Sequence, residues 1–412
     1  MNDSLEVPCR IAVAQLGARR HYAVPLAFEH EGVLEHFYTD FFLKGRLLSG
    51  LASTLSRILP WGGMQRLSGR RCPELPARKT TSFWNMGLGE KLYPGKSHLE
   101  ASWVRSGEAF CRSILACGLG NADAVYAFSS AAKELLLYCR EQGLTGILDH
   151  ATAPQKAEMK LVREEQERFP AWGRAETESP ALEKYCQRQR DEVELASVVL
   201  CGSSFVKKML MDEGVVGSKI RVVPLGVSLP PELSRVPHNG MHVLFVGGEG
   251  LRKGIGYLVR AAEILKAADI QFRAVGDLGL TPEGWSSVRR FMEAPGPVPR
   301  SAMREHWAWA DVLVLSSVSE TFGLVILEAM AAGIAVITTT STCGPDVMRE
   351  GVDGYVISPR DAETLAAKLY YLAANPAHLA EMKIRARERA ADFTLEQYGR
   401  RLVNALRGDS GA

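Results

Sequence analysis

Two glutamates that flank an apolar run are the first residues whose type and spacing suggest chemistry. Glu320 and Glu328 stand at either end of that run in SETFGLVILEA, residues 319–329. The strand pattern DVLVLSS comes before them, and a helix pattern continues to about Ala332. A helix start offers unpaired backbone N–H groups and a positive dipole end, so it binds anions. Since a carboxylate accepts two hydrogen bonds from a vicinal diol, the stretch favours a ligand with phosphates flanked by two sugars.

Both glutamates also fit ordinary structural roles, and their spacing alone does not decide the matter. Glu320 near the helix start would interact favourably with the helix dipole. Glu328 would form a salt bridge on a half-buried helix. A second phosphate-binding segment is therefore needed to favour the functional interpretation.

A glycine-rich segment is that second candidate. FVGGEGLRKG, residues 245–254, has the pattern of a strand end, a glycine loop, two cations and a helix start. Gly247 and Gly248 allow the backbone to approach a phosphate closely, and Arg252 and Lys253 can neutralise its charge. The alternative is an ordinary turn with two solvated cations. The chain has no Asp-x-Asp pair, the usual carboxylates for a phosphate-bound Mg²⁺, so we predict no metal and no cofactor.

Alternating strand and helix patterns must position these residues. The first half begins with a strand at residues 10–16, then Gly17 and a helix that is predicted to reach Glu31. A proline-containing linker, VSLPPELSRVPHN, separates this half from a second strand–helix series. Such alternation indicates parallel βαβ units, whose ligands bind at the carboxyl ends of the strands. We predict an α/β fold with domains at 1–230 and 240–390, and a C-terminal helix at 391–412 that can pack back toward the first domain.

Length and composition fit two soluble domains. The chain has 412 residues, too many for one ordinary core, and 46% of them are hydrophobic. The net charge of +2 argues against a nucleic-acid partner. The eight cysteines are scattered and MNDSLEVPCR has no apolar signal region, so we predict a cytoplasmic location. The apolar segment 323–340 contains Glu328 and Gly333, so it is predicted to be a buried helix and strand, not a membrane span.

These patterns together resemble a known enzyme family, the retaining nucleotide-sugar glycosyltransferases of family 4. Members of that family have the GT-B fold, two facing Rossmann-like domains with a cleft between them. Glu320 and Glu328 match the family's Glu-x7-Glu signature, and SSVSETFGLVILEAMAAG and the glycine loop with Lys253 match the segments around it. The resemblance is clear over about residues 196–393 and weaker before them.

The resemblance implies a role for each matching residue. Glu320 would contact hydroxyls of the transferred sugar, and Glu328 would hold the nucleoside ribose. Lys253 and Arg252 would bind the diphosphate. His150, directly after the strand GILD, would lie near the sugar's reacting face, although a histidine there can also simply cap a loop. The other donor contacts would come from Gly17, Gly247, Gly248, Val298, Thr321, Phe322, Gly323 and Leu324.

Two places in the sequence affect how strongly a diphosphate is expected to bind: the position of the family's usual arginine, and the basic residues after Gly17. The family usually has an arginine in a Gly-Arg pair after the strand, but this chain has Gly248-Glu249 there, so Arg252 must replace it or diphosphate binding is weaker. After Gly17, the residues Arg19, Arg20 and His21 would either meet an anionic group or form a basic helix start on the surface.

The resemblance implies a metal-independent transferase that moves a sugar, with retention, from a nucleotide-diphosphate sugar to a hydroxyl of a glycan or lipid-linked acceptor. The product would be a surface polysaccharide or glycolipid. Two alternatives stay open: a GT-B nucleotide-sugar epimerase, and a catalytically degenerate protein that binds a nucleotide-sugar or a membrane without transfer.

A basic amphipathic stretch extends from residue 41 to residue 79. It carries eight Lys and Arg residues against one acidic residue, Glu74. Such a pattern suits an anionic membrane surface, on the cytoplasmic face of the inner membrane in this case. The alternative is a helix packed on the first domain with a solvated basic face.

Overall fold

The computed structural model describes residues 10–42, 70, 72–84, 99–173, 179–235 and 237–407. These residues form two parallel β-sheets with helices between their strands. We call the part built on each sheet the first and the second domain. The two-sheet α/β architecture confirms the fold that the sequence predicts.

Seven parallel strands make up the first sheet, in the order β3-β2-β1-β4-β5-β6-β7. Six parallel strands make up the second, in the order β10-β9-β8-β11-β12-β13. Their bounds are β1 Ile11–Gln15, β2 Leu34–Thr39, β3 Thr80–Ser82, β4 Ala124–Phe128, β5 Thr145–Asp149, β6 Val198–Cys201, β7 Ile220–Val222, β8 Met241–Val246, β9 Ile270–Val275, β10 Glu293–Gly296, β11 Val312–Leu315, β12 Ala335–Thr339 and β13 Gly354–Ile357.

The α-helices of the described residues lie between these strands and after the last one. They are α1 Ala23–His30, α2 Leu99–Cys117, α3 Lys133–Gln142, α4 Gln155–Arg168, α5 Pro180–Leu195, α6 Ser204–Asp212, α7 Ile255–Ile264, α8 Pro282–Arg289, α9 Met303–Trp309, α10 Leu324–Ala331, α11 Gly344–Val347, α12 Ala362–Ala374, α13 Pro376–Ala390 and α14 Leu395–Arg407. Among the described residues, none of the helices combines the length and the apolar character needed to cross a membrane.

Both faces of each sheet are buried, as continuous apolar strands require. Val243 and Phe245 of β8 belong to one apolar cluster, whereas Leu244 between them belongs to another. Likewise, Ala12 and Val13 of β1 lie in different clusters. Because successive side chains of a strand point to opposite faces, each sheet has a core above and below it.

The predicted helix from Gly17 to Glu31 is wrong in its first part. The helix α1 begins only at Ala23, because Arg20, His21 and Tyr22 have left-handed φ values of 50°, 51° and 63°. The basic residues after Gly17 therefore do not form a helix start. Tertiary contacts of these side chains, which no local pattern reports, hold this conformation.

The last helix, α14, follows the second domain but packs on the first. Tyr398, Leu402 and Val403 lie in the apolar cluster that also contains residues of β1 and α1. Gly399 faces α1, where a Cβ atom added to it would lie 2.8 Å from the Cβ of Ala27. The two helices can thus approach closely because residue 399 is a glycine and has no side chain.

Gly399→Val should therefore destabilise the first domain. Overpacking of a tight contact costs about 1–3 kcal/mol, which should appear as a lower midpoint in urea unfolding. The matched control is Asn404→Val on the exposed face of the same helix, where a change of no more than about 0.5 kcal/mol is expected. Equal midpoints for the two variants would show that α14 does not depend on this contact.

Candidate active site

The first candidate glutamate lies in the loop between β11 and α10, at the carboxyl end of the second sheet. Gly323, with φ of 85°, immediately precedes α10, and this left-handed conformation turns the chain into the helix. Glu320 itself is 8% exposed. A buried carboxylate needs partners, and the glycine-rich loop after β8 provides them.

Cations and carboxylate meet because two strand-end loops pack closely. Gly254 has φ of 73°, and a Cβ atom there would overlap the carbonyl oxygen of Ser316. The Ser316 hydroxyl donates to the Gly254 carbonyl at 2.8 Å. Lys253 Nζ then reaches Glu320 Oε2 at 2.5 Å, and Arg252 Nη1 lies 3.8 Å from Glu320 Oε1. The two predicted motifs are thus one cluster.

The glycines of the loop make space for these cations. A Cβ atom on Gly247 would overlap the Lys253 side chain, so this glycine allows Lys253 to lie back across the loop. Gly248 faces the carbonyl oxygen of Asp277, which a Cβ atom would approach to 3.2 Å. Glu249, where the resemblance predicts an arginine, accepts a 2.7 Å hydrogen bond from Arg252 Nε. Glu249 therefore adds a carboxylate to the cluster.

A third carboxylate, Glu158, reaches the cluster from α4 of the first domain. Its Oε1 accepts hydrogen bonds from Ser319 Oγ at 2.9 Å and Arg252 Nη1 at 3.4 Å. Burial raises the pKa of Glu158, although Arg252 and the Ser319 bond oppose this shift. Sequence reasoning missed this residue. Its only signal is that the charged helix α4 begins a few residues after His150.

The second glutamate, Glu328, lies one turn into α10, beside a separate basic residue. Arg300 Nη2 donates to Glu328 Oε1 at 3.4 Å, and Arg300 Nη1 lies 3.1 Å from His21 Nε2 of the first domain. Burial raises the pKa of Glu328, and the Arg300 charge opposes this. These residues line a cavity of ≈ 280 Å³ together with Leu324 and Trp307. The structure therefore provides space beside the carboxylate that is predicted to hold a ribose.

Thr321 and Phe322 connect this loop to the first domain. The Thr321 carbonyl accepts from Ser203 Oγ at 2.8 Å, and Thr321 Oγ1 accepts from the amide of Ala153 at 3.2 Å. Phe322 packs against Gly202, where a Cβ atom would lie 3.1 Å from the ring. The loop that carries Glu320 is therefore held from both domains.

His150 lies at the end of β5 and is 1% exposed. Its Nδ1 is 2.6 Å from the carbonyl oxygen of Thr152. Burial lowers the pKa of His150, so the imidazole is neutral near pH 7. With Nδ1 donating to that carbonyl, Nε2 is the hydrogen-bond acceptor of the ring.

Gly17 and Val298 lie beside groups other than the cation cluster. The Gly17 amide donates to Asp40 Oδ1 at 3.0 Å, and Asp40 also pairs with Arg70. Val298 packs on the apolar cluster that contains Ile326. Their predicted contacts with the donor thus stay predictions, as do those of the other site residues.

The sequence matches a known family over its second domain. Residues 240–375 match the model of the family described as Glycosyl transferases group 1. The Salmonella typhimurium protein WcaL, named for colanic acid biosynthesis, is 29% identical over 218 residues, which are 48% of this chain and 53% of WcaL. Sulfoquinovosyl transferase SQD2 of Arabidopsis thaliana is 33% identical over 132 residues, 31% of this chain and 25% of that protein. The matches thus span about half or less of these relatives.

Solved structures match the fold over nearly the whole chain. Sucrose-phosphate synthase of Thermosynechococcus elongatus superimposes with a TM-score of 0.64 and 17% identity, over 97% of this chain and 98% of the other. Anabaena Alr3699/HepE, solved in complex with UDP, gives a TM-score of 0.61 and 16% identity, over 97% and 100%. The chain therefore has the GT-B fold, and its residues 240–375 are similar to the glycosyl transferases group 1 family.

Proposed function

We propose that this protein is a retaining glycosyltransferase that moves a sugar from a nucleotide-diphosphate sugar to a hydroxyl of a glycan or lipid-linked acceptor. The observation that carries this proposal is the contact of Lys253 and Arg252 with Glu320 at the start of α10. The two cations and the helix N-terminus can bind a diphosphate. The carboxylate beside them can accept hydrogen bonds from hydroxyls of the sugar attached to it.

The arrangement suggests how the protein would promote transfer. Arg252, Lys253 and the helix start stabilise the negative charge that develops on the departing diphosphate, without a metal ion. Glu320 is held by Lys253, so it orients sugar hydroxyls and is not assigned as a covalent nucleophile. The acceptor hydroxyl attacks from the face that the nucleotide leaves, and the diphosphate takes its proton. Glu328 holds the ribose beside the cavity near Arg300.

The comparisons support the classes of donor and acceptor. HepE, which shares the fold, was solved with UDP and with UDP-glucose, and WcaL is named for the biosynthesis of a polysaccharide. We therefore propose a role in surface polysaccharide or glycolipid synthesis at the cytoplasmic face of the membrane. Contact with the membrane through residues 41–79 stays a prediction, since residues 43–69 and 71 lie outside the described part of the chain.

A protein that binds nucleotide-sugar without transferring it is the second candidate. The hydrogen bond from Arg252 to Glu249 favours it, because that carboxylate reduces the positive charge available to a diphosphate. Turnover separates the two functions. A transferase consumes the donor when an acceptor is present, whereas a binding protein consumes nothing.

The first test is thermal stabilisation of the protein by UDP, GDP, ADP and their common sugar conjugates. A ligand at 100 times its dissociation constant should stabilise the fold by about 2.7 kcal/mol, which gives a clear shift in melting temperature. Glu328→Ala should lose the shift. The absence of any shift with the wild-type protein would contradict the proposed donor site.

Lys253→Ala should weaken binding of the nucleotide-diphosphate sugar that stabilises the wild-type protein. The loss of one charged hydrogen bond to phosphate costs about 1.5–3 kcal/mol, so the dissociation constant should rise at least about tenfold. Isothermal titration measures it, and the exposed Lys266→Ala serves as the control. An unchanged affinity in the Lys253 variant would remove this residue from the site.

Glu158→Gln should have the opposite effect and tighten donor binding. The Glu158 carboxylate competes with a diphosphate for Arg252, and removal of a competing charge at this distance is worth about 1 kcal/mol, or about fivefold in affinity. The control is Glu167→Gln on the exposed face of the same helix. Weaker binding in the Glu158 variant would instead indicate that this carboxylate contacts the donor directly.

A further inference from the structure

Three consecutive residues with strained backbone lie in the loop between β1 and α1. Arg20, His21 and Tyr22 all have positive φ, a region that side chains other than glycine rarely adopt. Such strain persists only where surrounding contacts fix the conformation, and it is common at functional sites. The loop begins at Gly17 and reaches the second domain through the 3.1 Å contact of His21 with Arg300.

A buried ion pair fixes the first strained residue. Arg20 donates to both oxygens of Asp149, from Nη1 to Oδ2 at 2.5 Å and from Nη2 to Oδ1 at 2.8 Å. The Tyr126 hydroxyl donates to Asp149 Oδ2, the oxygen that Arg20 Nη1 also contacts. Arg20 Nη1 also donates to the hydroxyl of Tyr398 on α14, at 2.6 Å. The side chain of Arg20 is 16% exposed and that of Asp149 is 1% exposed, so water screens this pair little.

Other contacts hold the two ends of the loop. The side-chain amide of Gln15 donates to the carbonyls of Gly17 and Arg19 at 2.9 and 3.2 Å. Tyr22 is fully buried, and its ring packs edge-on against Phe37 and Phe42. The middle of the loop therefore depends on Arg20, which joins it to β5 and to α14.

We propose that Arg20 is a positioning residue that transmits the docking of α14 to the loop 17–22 and to His150, which is predicted to lie near the reacting face of the sugar. This inference rests on the proposed function. Asp149 directly precedes His150, so one guanidinium orients both the loop after β1 and the end of β5. The hydrogen bond to Tyr398 connects Arg20 to α14, the C-terminal helix that follows the second domain and packs on the first.

The ion pair between Arg20 and Asp149 is better suited to fixing the orientation of the loop than to stabilising the fold. A buried ion pair carries a large desolvation cost, and well-packed apolar side chains often stabilise a fold as well or better. The planar guanidinium, however, sets direction as well as distance, because its parallel donors match the two carboxylate oxygens. Lysine keeps the charge but cannot form this two-point contact together with the bond to Tyr398.

Tyr398→Phe tests the link to α14 because it removes one hydroxyl and leaves the buried ring. Hydrogen exchange of the amides at 17–22 should become about tenfold faster, since the local opening energy of the loop falls. The matched control is Tyr38→Phe, which also loses one hydroxyl in the first domain, bonded to the Gly118 carbonyl at 2.6 Å. Exchange at 17–22 should match the wild type in this control.

Turnover separates positioning from a purely structural contact. With the donor identified by thermal stabilisation, kcat of Tyr398→Phe should fall about tenfold. The affinity for the nucleotide alone should change less than about twofold, because Lys253 and Glu328 lie in the second domain. Arg20→Lys should show the same pattern, whereas a role of the positive charge alone would be rescued by lysine.

Each outcome decides the proposal. The proposal is overturned if hydrogen exchange at residues 17–22 is the same in Tyr398→Phe as in the wild-type protein. It is also overturned if exchange is faster in this variant but its kcat is normal, because Arg20 would then be a structural contact only. If Arg20→Lys does not fold, Tyr398→Phe still gives both readouts. If the wild-type protein turns over no donor, the proposed function fails and the role in positioning for catalysis fails with it. The exchange data then still show whether Arg20 couples α14 to the loop.

Discussion

The close contact of Gly254 with the Ser316 carbonyl is the constraint on which the candidate active site depends. It joins the loop after β8 to the loop after β11, two neighbouring strands of the second sheet. With the loops this close, Lys253 contacts Glu320, and Gly247 leaves the space in which the lysine side chain lies. Parallel pairing brings both strand ends to one edge of the sheet, so the cations and the carboxylate meet although 67 residues separate them.

The second constraint is the joining of the two domains at the same place. Helix α4 brings Glu158 to Arg252, and its later residues Glu164 and Glu165 pair with Arg360 at 2.7 Å. The Tyr257 hydroxyl also donates to Glu165 at 2.7 Å. A movement of one domain against the other would therefore change the surroundings of Arg252 directly. Under the proposed function, the contact between the domains and the binding of the donor would involve the same side chain, Arg252.

The sequence predicts those features that local pattern and spacing determine. The strand–helix alternation predicts the two parallel sheets, and the strand pattern DVLVLSS with the helix pattern after it places Glu320 in a loop and Glu328 on a helix. It could not predict Glu158 or the left-handed residues after Gly17, because both depend on contacts between distant segments. Arg20 was predicted to meet either an anionic group or solvent. Its anion is Asp149, 129 residues away, and no spacing rule links the two.

Under the proposed function, the charges of the cluster determine how its ion pairs would change when a donor binds. Three carboxylates, Glu158, Glu249 and Glu320, face two cations, Arg252 and Lys253. In the proposed function a diphosphate would add further negative charge, which favours an exchange of cationic partners by the carboxylates. Glu320 can turn to sugar hydroxyls, and Glu249 is exposed to solvent. Glu158 is half-buried, and desolvation raises its pKa, so it could keep its hydrogen bond to Ser319 or take up a proton.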